Sequence, residues 1–457
     1  MKMEVEIISK EFVKPSSPTP LHLKYHKLSF FDLCHRSSGY IPLVLYYPFN
    51  QDTNVSSYNI HRDVSKRLQI LRQSLSETLS RFYPLAGRIK DTNFIECNHE
   101  GVYFAEAKVR SPLNEFLKHP NLSLISNLLP DESGLRAIPE NCTCASGVQA
   151  TTFSCGGIVV GVIVTHTIVD GTAFSLFLKS WASTAVMDIE KVMSPKFDAS
   201  SIFSYGDSYP REVFLSPLSA LPTKVDKFIT RRFVFDALAI ANLKAKAATS
   251  SSVQNPTRVE VVTALFGKCF KAVLKETSGS NKSFLLAHAV NLRRKARPQF
   301  SEYLMGNCAW LVSFICKDDE ETELHDLVCK FREATAKLNG DFVNSLQGDG
   351  GFLNFIEAIK HERETYYTNR IDMIVCSSWC NFEFYDLDFG WGKPAWVSAF
   401  DFSQVVANSN VVLFMDTKDR NGIEAWVTLH EEQMAVLERD KELLAFATLD
   451  PSPLKEY

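Results

Sequence analysis

Ile158-Val159-Val160-Gly161-Val162-Ile163-Val164-Thr165-His166-Thr167-Ile168-Val169-Asp170-Gly171 passes from a continuous apolar run into a histidine, a carboxylate and a glycine. The run from Ile158 to Val164 reads as a buried strand. Thr172 to Ala185, with Phe174, Leu176, Phe177, Leu178 and Trp181, reads as a mostly buried helix. His166 and Asp170 therefore fall in a turn between two rigid elements, where side chains can be aimed at a substrate. A histidine titrates near neutral pH, so the position suits a general base. A satisfied structural histidine fits the same spacing, and the pair alone does not separate the two.

Asp388-Phe389-Gly390-Trp391-Gly392-Lys393-Pro394 is a second unusual stretch. Two glycines, two aromatics, a carboxylate and a proline are incompatible with a regular helix or a central strand, so a loop of fixed shape is expected. Together, the HxxxD stretch at His166 and the DFGWG stretch at Asp388 resemble the two signatures of the plant BAHD acyltransferases, in that order and at roughly that separation. The resemblance extends to Lys14–Pro20, Phe82–Arg88, Asn291–Arg293, Gly306-Asn307 and Gly422–Trp426, and so covers nearly the whole chain. The Pro-rich opening and Ser377-Ser378-Trp379-Cys380 look most like the branch that includes vinorine synthase, salutaridinol acetyltransferase and ester-forming alcohol acyltransferases. Asn381 and Glu383 stand where that branch often has Arg and Pro.

The composition agrees with such a protein. The chain has 457 residues, 45% hydrophobic and 22% charged, enough for two cores of roughly 200 residues each. A net charge of -4 without basic blocks argues against nucleic acid as the main partner. The start has no apolar signal core, and no apolar run approaches membrane-spanning length, so a cytoplasmic chain with no membrane partner is expected. The 11 cysteines are scattered without paired CxxC spacing and read as reduced.

Both halves mix strands and helices. In the first, Val64 to Ser80 reads as a helix capped by Asp63, with Leu68, Leu71, Leu75 and Leu79 on one face. In the second, strands are expected at Arg232–Phe235, Phe284–Val290 and Ala309–Ile315, and helices from Ala237 and from Arg258 to Lys268. Val411–Met415 and Ile423–Val427 should form a hairpin with Asn421-Gly422 in the turn, both residues tolerating positive φ. The Pro/Ser/Tyr/Phe-rich stretch 194–224 reads as the linker. The expected organisation is a mixed α/β chain with an N-terminal domain at 1–193 carrying HxxxD and a C-terminal domain at 225–457 carrying DFGWG. The resemblance implies that both are chloramphenicol-acetyltransferase-like, with a channel at their interface.

It also implies roles. His166 matches the family's base, which takes the proton from an acceptor hydroxyl as the oxygen attacks an acyl-CoA thioester, without a covalent acyl-enzyme. Trp379 matches the tryptophan whose indole N–H points into the site, an oxyanion donor, and Ser377 its hydroxyl neighbour. Asp170 is expected to support the His loop, since a buried carboxylate is costly without partners. Asp388 and Gly390 are expected to shape their loop, with Arg293 as the partner of Asp388. Thr257 and Arg258, at a helix start, are candidates for the CoA phosphates. The expected co-substrate is acyl-CoA, acetyl-CoA above all, with no permanently bound cofactor and no metal, and a small-molecule alcohol as acceptor to a monomeric enzyme. Amide formation would use the same base.

Other classes lack their parts. Asp388-Phe389-Gly390 has no kinase phosphate loop or His-Arg-Asp loop beside it, no GxSxG nucleophile elbow is present, and no third ligand accompanies His166 and Asp170 at zinc spacing. Condensation domains use HHxxxDG, but Thr165 precedes His166 here. A catalytically silent relative that binds a ligand or partner protein is the alternative in another class.

Overall fold

The computed structural model describes residues 3–36, 38–49, 57–90, 93–131, 143–206, 227–249, 252–320, 323–348, 350–369, 372–399 and 410–454. Most of the expected linker at 194–224 lies outside them. Two large sheets organise the chain, each with its own hydrophobic core. The first has six strands in the order Val5–Val13, Val102–Val109, Ser146–Phe153, Ile158–Thr165, Tyr40–Tyr47 and Trp396–Ser398. Ile158–Thr165 is buried along its whole length, as its unbroken apolar sequence requires of a central strand. Gly161 is needed there because a Cβ would come within 2.1 Å of the Leu128 carbonyl oxygen.

The helices Ser57–Arg81 and Gly171–Ala185 pack on this sheet. Leu71, Leu75 and Leu79 of the first are fully buried, and the Trp181 indole N–H of the second donates to Ser74 Oγ at 3.0 Å. The helix starts before the expected Asp63 cap. Residues 61–63 are exposed on its second turn, so no apolar period marked the first turns.

The second sheet has seven strands in the order Ala309–Cys316, Phe284–Asn291, Asp372–Ser378, Asn410–Asp416, Ile423–His430, Phe228–Phe235 and Thr448–Leu449. Helices Ala237–Ala247, Arg258–Ser278 and Leu324–Ala336 enclose its core. Its hairpin forms as expected, but the turn differs. Asp416 pairs with Ile423, leaving six residues between the strands, and the left-handed residue is Arg420 at φ 63°. Gly422 is required for space instead, since a Cβ there would approach Phe235 O to 2.3 Å.

The sheets are tied by an exchange. Trp396–Ser398, from the second half, forms the edge of the first sheet against Tyr40–Tyr47. Trp396 stacks on Tyr46 with ring centroids 4.8 Å apart, and its indole reaches Glu424, which is paired with Arg232 at 3.1 Å in the second sheet. Among the described residues no helix is long and apolar enough to cross a membrane, and no group of three or more His, Cys, Asp or Glu could hold a metal. None of the ten described cysteines is in a disulfide.

Candidate active site

His166 follows the last residue of the central strand. Its N–H donates to Gly39 O at 2.9 Å and its carbonyl accepts from Asn307 Nδ2 at 2.7 Å, so the backbone is held on both sides. The ring lies flat on His35, with centroids 4.0 Å apart and an interplanar angle of 3°. His35 comes just after the short helix Phe30–Cys34, which Ser29 and Asp32 cap reciprocally. Burial lowers the His166 pKa below its ordinary 6.5; the Asp170 charge, the Asn307 carboxamide and nearby carbonyls oppose this without cancelling it. Burial, and the charge His166 acquires when protonated, drive His35 well below 6.5. At neutral pH both rings are therefore uncharged, and His166 is in the form that accepts a proton.

Asp170 is turned away from that ring and into the fold. Its Oδ1 caps the following helix by accepting from Ala173 N–H at 2.9 Å. The buried Arg293 guanidinium forks onto both carboxylate oxygens at 2.7 and 3.2 Å, and Cys308 N–H adds a bond at 3.0 Å. Arg293 also donates to Leu304 O and Gly306 O. Four donors thus satisfy Asp170, which fixes the loop carrying His166. The expected pairing of Arg293 with Asp388 is incorrect. Asp388 Oδ1 accepts from the backbone N–H groups of Gly390, Trp391 and Gly392 at 2.7, 3.1 and 2.9 Å, with both glycines left-handed at φ 102° and 104°. That nest satisfies the half-buried Asp388, and the more deeply buried Asp170 takes the guanidinium.

The Asp388 loop is not at His166. Phe389 packs edge-on against Trp181 at 4.9 Å, and a Cβ on Gly390 would meet Val186, just past the end of the helix that Asp170 begins. About 15 residues of helix, on the order of 22 Å, separate the two motifs.

Trp379 lies at the far end of the loop that carries His166, beside Gly171. It follows strand Asp372–Ser378, on which Ser377 is half-buried, and its indole lies against Gly171: a Cβ there would sit 3.1 Å from Trp379 Nε1 and 2.8 Å from Phe382. Asn381 and Glu383 both adopt positive φ, 67° and 59°. Proline cannot adopt that conformation, so the backbone at Glu383 excludes it. Glu383 pairs with Lys179 at 2.7 Å.

Thr257 and Arg258 start a helix, but the start is already occupied. Thr257 and Glu260 form a capping box and Glu260 pairs with Arg332. Arg258 bonds to Asp416 at 3.0 Å, to the carbonyls of Arg420 and Gly422, and to Asn381. His35 was not singled out from the sequence, and Asn307 had no role there. Their places depend on long-range register, with Tyr40 paired to Thr165, and no local pattern carries that.

A sheet-built α/β protein with a neutral histidine at the end of a central strand, backed by a buried Asp–Arg pair, has the parts of an acyl-transfer site. Residues 3–444 match the family model described as Transferase family. Relatives include limonoid 7-O-acetyltransferase of Citrus sinensis (49% identical, 99% of this chain, 100% of the relative), epi-neemfruitin B 7-O-acetyltransferase of Melia azedarach (48%, 99% and 100%) and akuammiline synthase 2 of Alstonia scholaris (38%, 98% and 98%). The crystal structure of vinorine synthase superposes with a TM-score of 0.81 at 31% identity, covering 99% of this chain and 100% of that one. F. graminearum TRI101, complexed with coenzyme A and T-2 mycotoxin, shares the fold at a TM-score of 0.71 and 17% identity over 93% of this chain and 99% of that one. The chain belongs to the BAHD acyltransferase family. It is an acyltransferase of mixed α/β fold built from two sheet-rich domains.

Proposed function

We propose that this enzyme transfers an acetyl group from acetyl-CoA to a hydroxyl of a polycyclic terpenoid alcohol of the limonoid class. The acceptor assignment rests on one observation: full-length identity of 49% to limonoid 7-O-acetyltransferase and 48% to epi-neemfruitin B 7-O-acetyltransferase, against 38% for akuammiline synthase 2 and 35% for stemmadenine O-acetyltransferase. Both substrates meet His166 in a channel between the halves, divided as 1–193 and 225–457. His166 Nε2 takes the hydroxyl proton as the oxygen attacks the thioester carbonyl. The tetrahedral oxyanion lies against Trp379 Nε1–H, with Ser377 beside it; collapse forms the ester, breaks the C–S bond and returns the proton to the CoA thiolate. The neutral state of His166, its rigid loop and the indole at Gly171 support these roles. Asp170 acts by holding the loop, and Asp388 with Gly390 by shaping a distant one. Phosphate binding by Thr257 and Arg258 would require Arg258 to exchange existing bonds. The enzyme works as a cytosolic monomer.

The test is CoA release from acetyl-CoA with pooled limonoid, other terpenoid and alkaloid alcohols, with products identified by mass. An acetylated limonoid that disappears with His166→Ala supports the reading. An acetylated alkaloid alone would overturn the acceptor class, and no turnover by folded wild type would favour a silent binding protein.

A further inference from the structure

A narrow pocket lies between the two sheets beside Trp379, walled by Trp379, Phe384, Tyr385, Val397 and Met415. Val397 belongs to the strand at the edge of the first sheet and Met415 to the second sheet, so the pocket spans the interface between the halves. Its inner room is about 10 Å³, enough for one water-sized body, which is close to the size of one methyl group.

The walls are fixed. Val397 is 1% and Met415 2% exposed, and each sits in a strand ladder, opposite Leu45 and Glu424. Phe384 stands edge-on to the Trp379 ring with centroids 5.9 Å apart, and the Tyr385 hydroxyl accepts from the Val397 N–H. Side chains packed this densely do not make way for an added methylene without a strained rotamer or a backbone shift. The charges at the mouth are already paired: Glu383 with Lys179 at 2.7 Å, Asp416 with Arg258 at 3.0 Å, and Arg420 with Asp386. The pocket therefore suits a small neutral group rather than an ion.

In the proposed reaction the thioester carbonyl stands at the Trp379 N–H. Besides oxygen and sulfur, its carbon carries one more substituent, the tail of the acyl group. We infer that this tail enters the pocket, and that Val397 and Met415 limit it to the methyl of an acetyl group. Propionyl and longer donors carry methylenes for which these walls leave no room. The inference rests on the reading of Trp379 as the oxyanion donor, and it sets donor choice by the room beside the carbonyl rather than by contacts with the CoA moiety.

The experiment is competition between acetyl-CoA and propionyl-CoA, at equal concentration, for one alcohol that the full-length enzyme acylates, the two esters being counted by mass spectrometry. Wild type should favour acetyl by roughly 10- to 200-fold, the range for one methylene in an apolar pocket. Val397→Ala should bring the ratio close to one. Val427→Ala, equally buried but in the other core of the second sheet, should keep the wild-type ratio. Met415→Ala replaces Val397→Ala if that variant fails to fold. Equal use of the two donors by wild type, or a ratio unmoved in the folded pocket variants, would overturn the inference. If the acylated alcohol is an alkaloid, the ratio decides in the same way and the acceptor class alone is refuted. A ratio that collapses in Val397→Ala while Gly171→Ala leaves kcat unaltered upholds the pocket and refutes the oxyanion role of Trp379. If no alcohol is acylated, calorimetric Kd values of the two donors decide: tighter acetyl-CoA in wild type, evened out in Val397→Ala, upholds the inference, and equal values in wild type overturn it.

Discussion

Replacing Arg293 by Met keeps most of the side-chain volume and removes the charge. The wild-type guanidinium side chain is 1% exposed and Asp170 8%, and five Arg293 side-chain bonds within the fold disappear: two to Asp170 and one each to Leu304 O, Gly306 O and Asn291 Oδ1. Asp170 would remain buried with only the Ala173 and Cys308 N–H groups. Removing one partner of a buried pair costs ~3–5 kcal/mol, because the surviving charge stays desolvated. At ~2–4 °C per kcal/mol for a domain of this size, the midpoint of thermal unfolding should fall by roughly 6–20 °C. Scanning calorimetry of wild type, Arg293→Met, Asp388→Ala and the double variant measures this. Asp388 and Arg293 share no bond, so the Arg293 and Asp388 effects should add to within ~0.5 kcal/mol. A loss below 2 °C in Arg293→Met, or strong coupling to Asp388, would refute the reasoning.

Gly171→Ala should push the Trp379 indole and lower kcat by up to the ~100- to 1,000-fold that one oxyanion donor contributes; unaltered kcat in a folded variant would remove Trp379 from the chemistry. Because burial lowers the His166 pKa, the base stays neutral into mild acid, and the acid limb of kcat/KM should lie below pH 6.5; a limb above 6.5 contradicts the burial argument. His288, 4% exposed with its pKa lowered to about 4, is neutral when folded but gains a proton when unfolded below pH 6.5. Stability should therefore decline as pH falls from 6.5 to about 4, by at most ~3 kcal/mol for this group, and denaturant titrations of His288→Phe should lack that part of the slope.

Much of the fold was legible because local patterns coincided with tertiary demands. Ile158–Val164 is apolar throughout because both faces of that strand are buried, and Thr257 with Glu260 forms a capping box where the helix was expected to open. Errors arose where space or long-range pairing decided. Asp63 resembles a cap but sits on an exposed turn, and Gly422 serves a close approach to Phe235 rather than a positive φ. At the site, His166 and Asp170 were visible as a motif, while the choice of Arg293 between Asp170 and Asp388 depended on which carboxylate had backbone donors of its own. His35 and Asn307 reach His166 from 131 positions before it and 141 after it, through sheet register that periodicity does not encode.

The short strand Trp396–Ser398 has a consequence for how this polypeptide is made. The first sheet keeps an open edge at Tyr40–Tyr47 until nearly 400 residues have left the ribosome, since the strand that covers it is encoded near the far end of the chain. An uncovered, largely apolar edge is a template for mispairing. The N-terminal half expressed alone would therefore be aggregation-prone, and gene fusions or split versions of the enzyme must keep residues 396–398 with the half they complete.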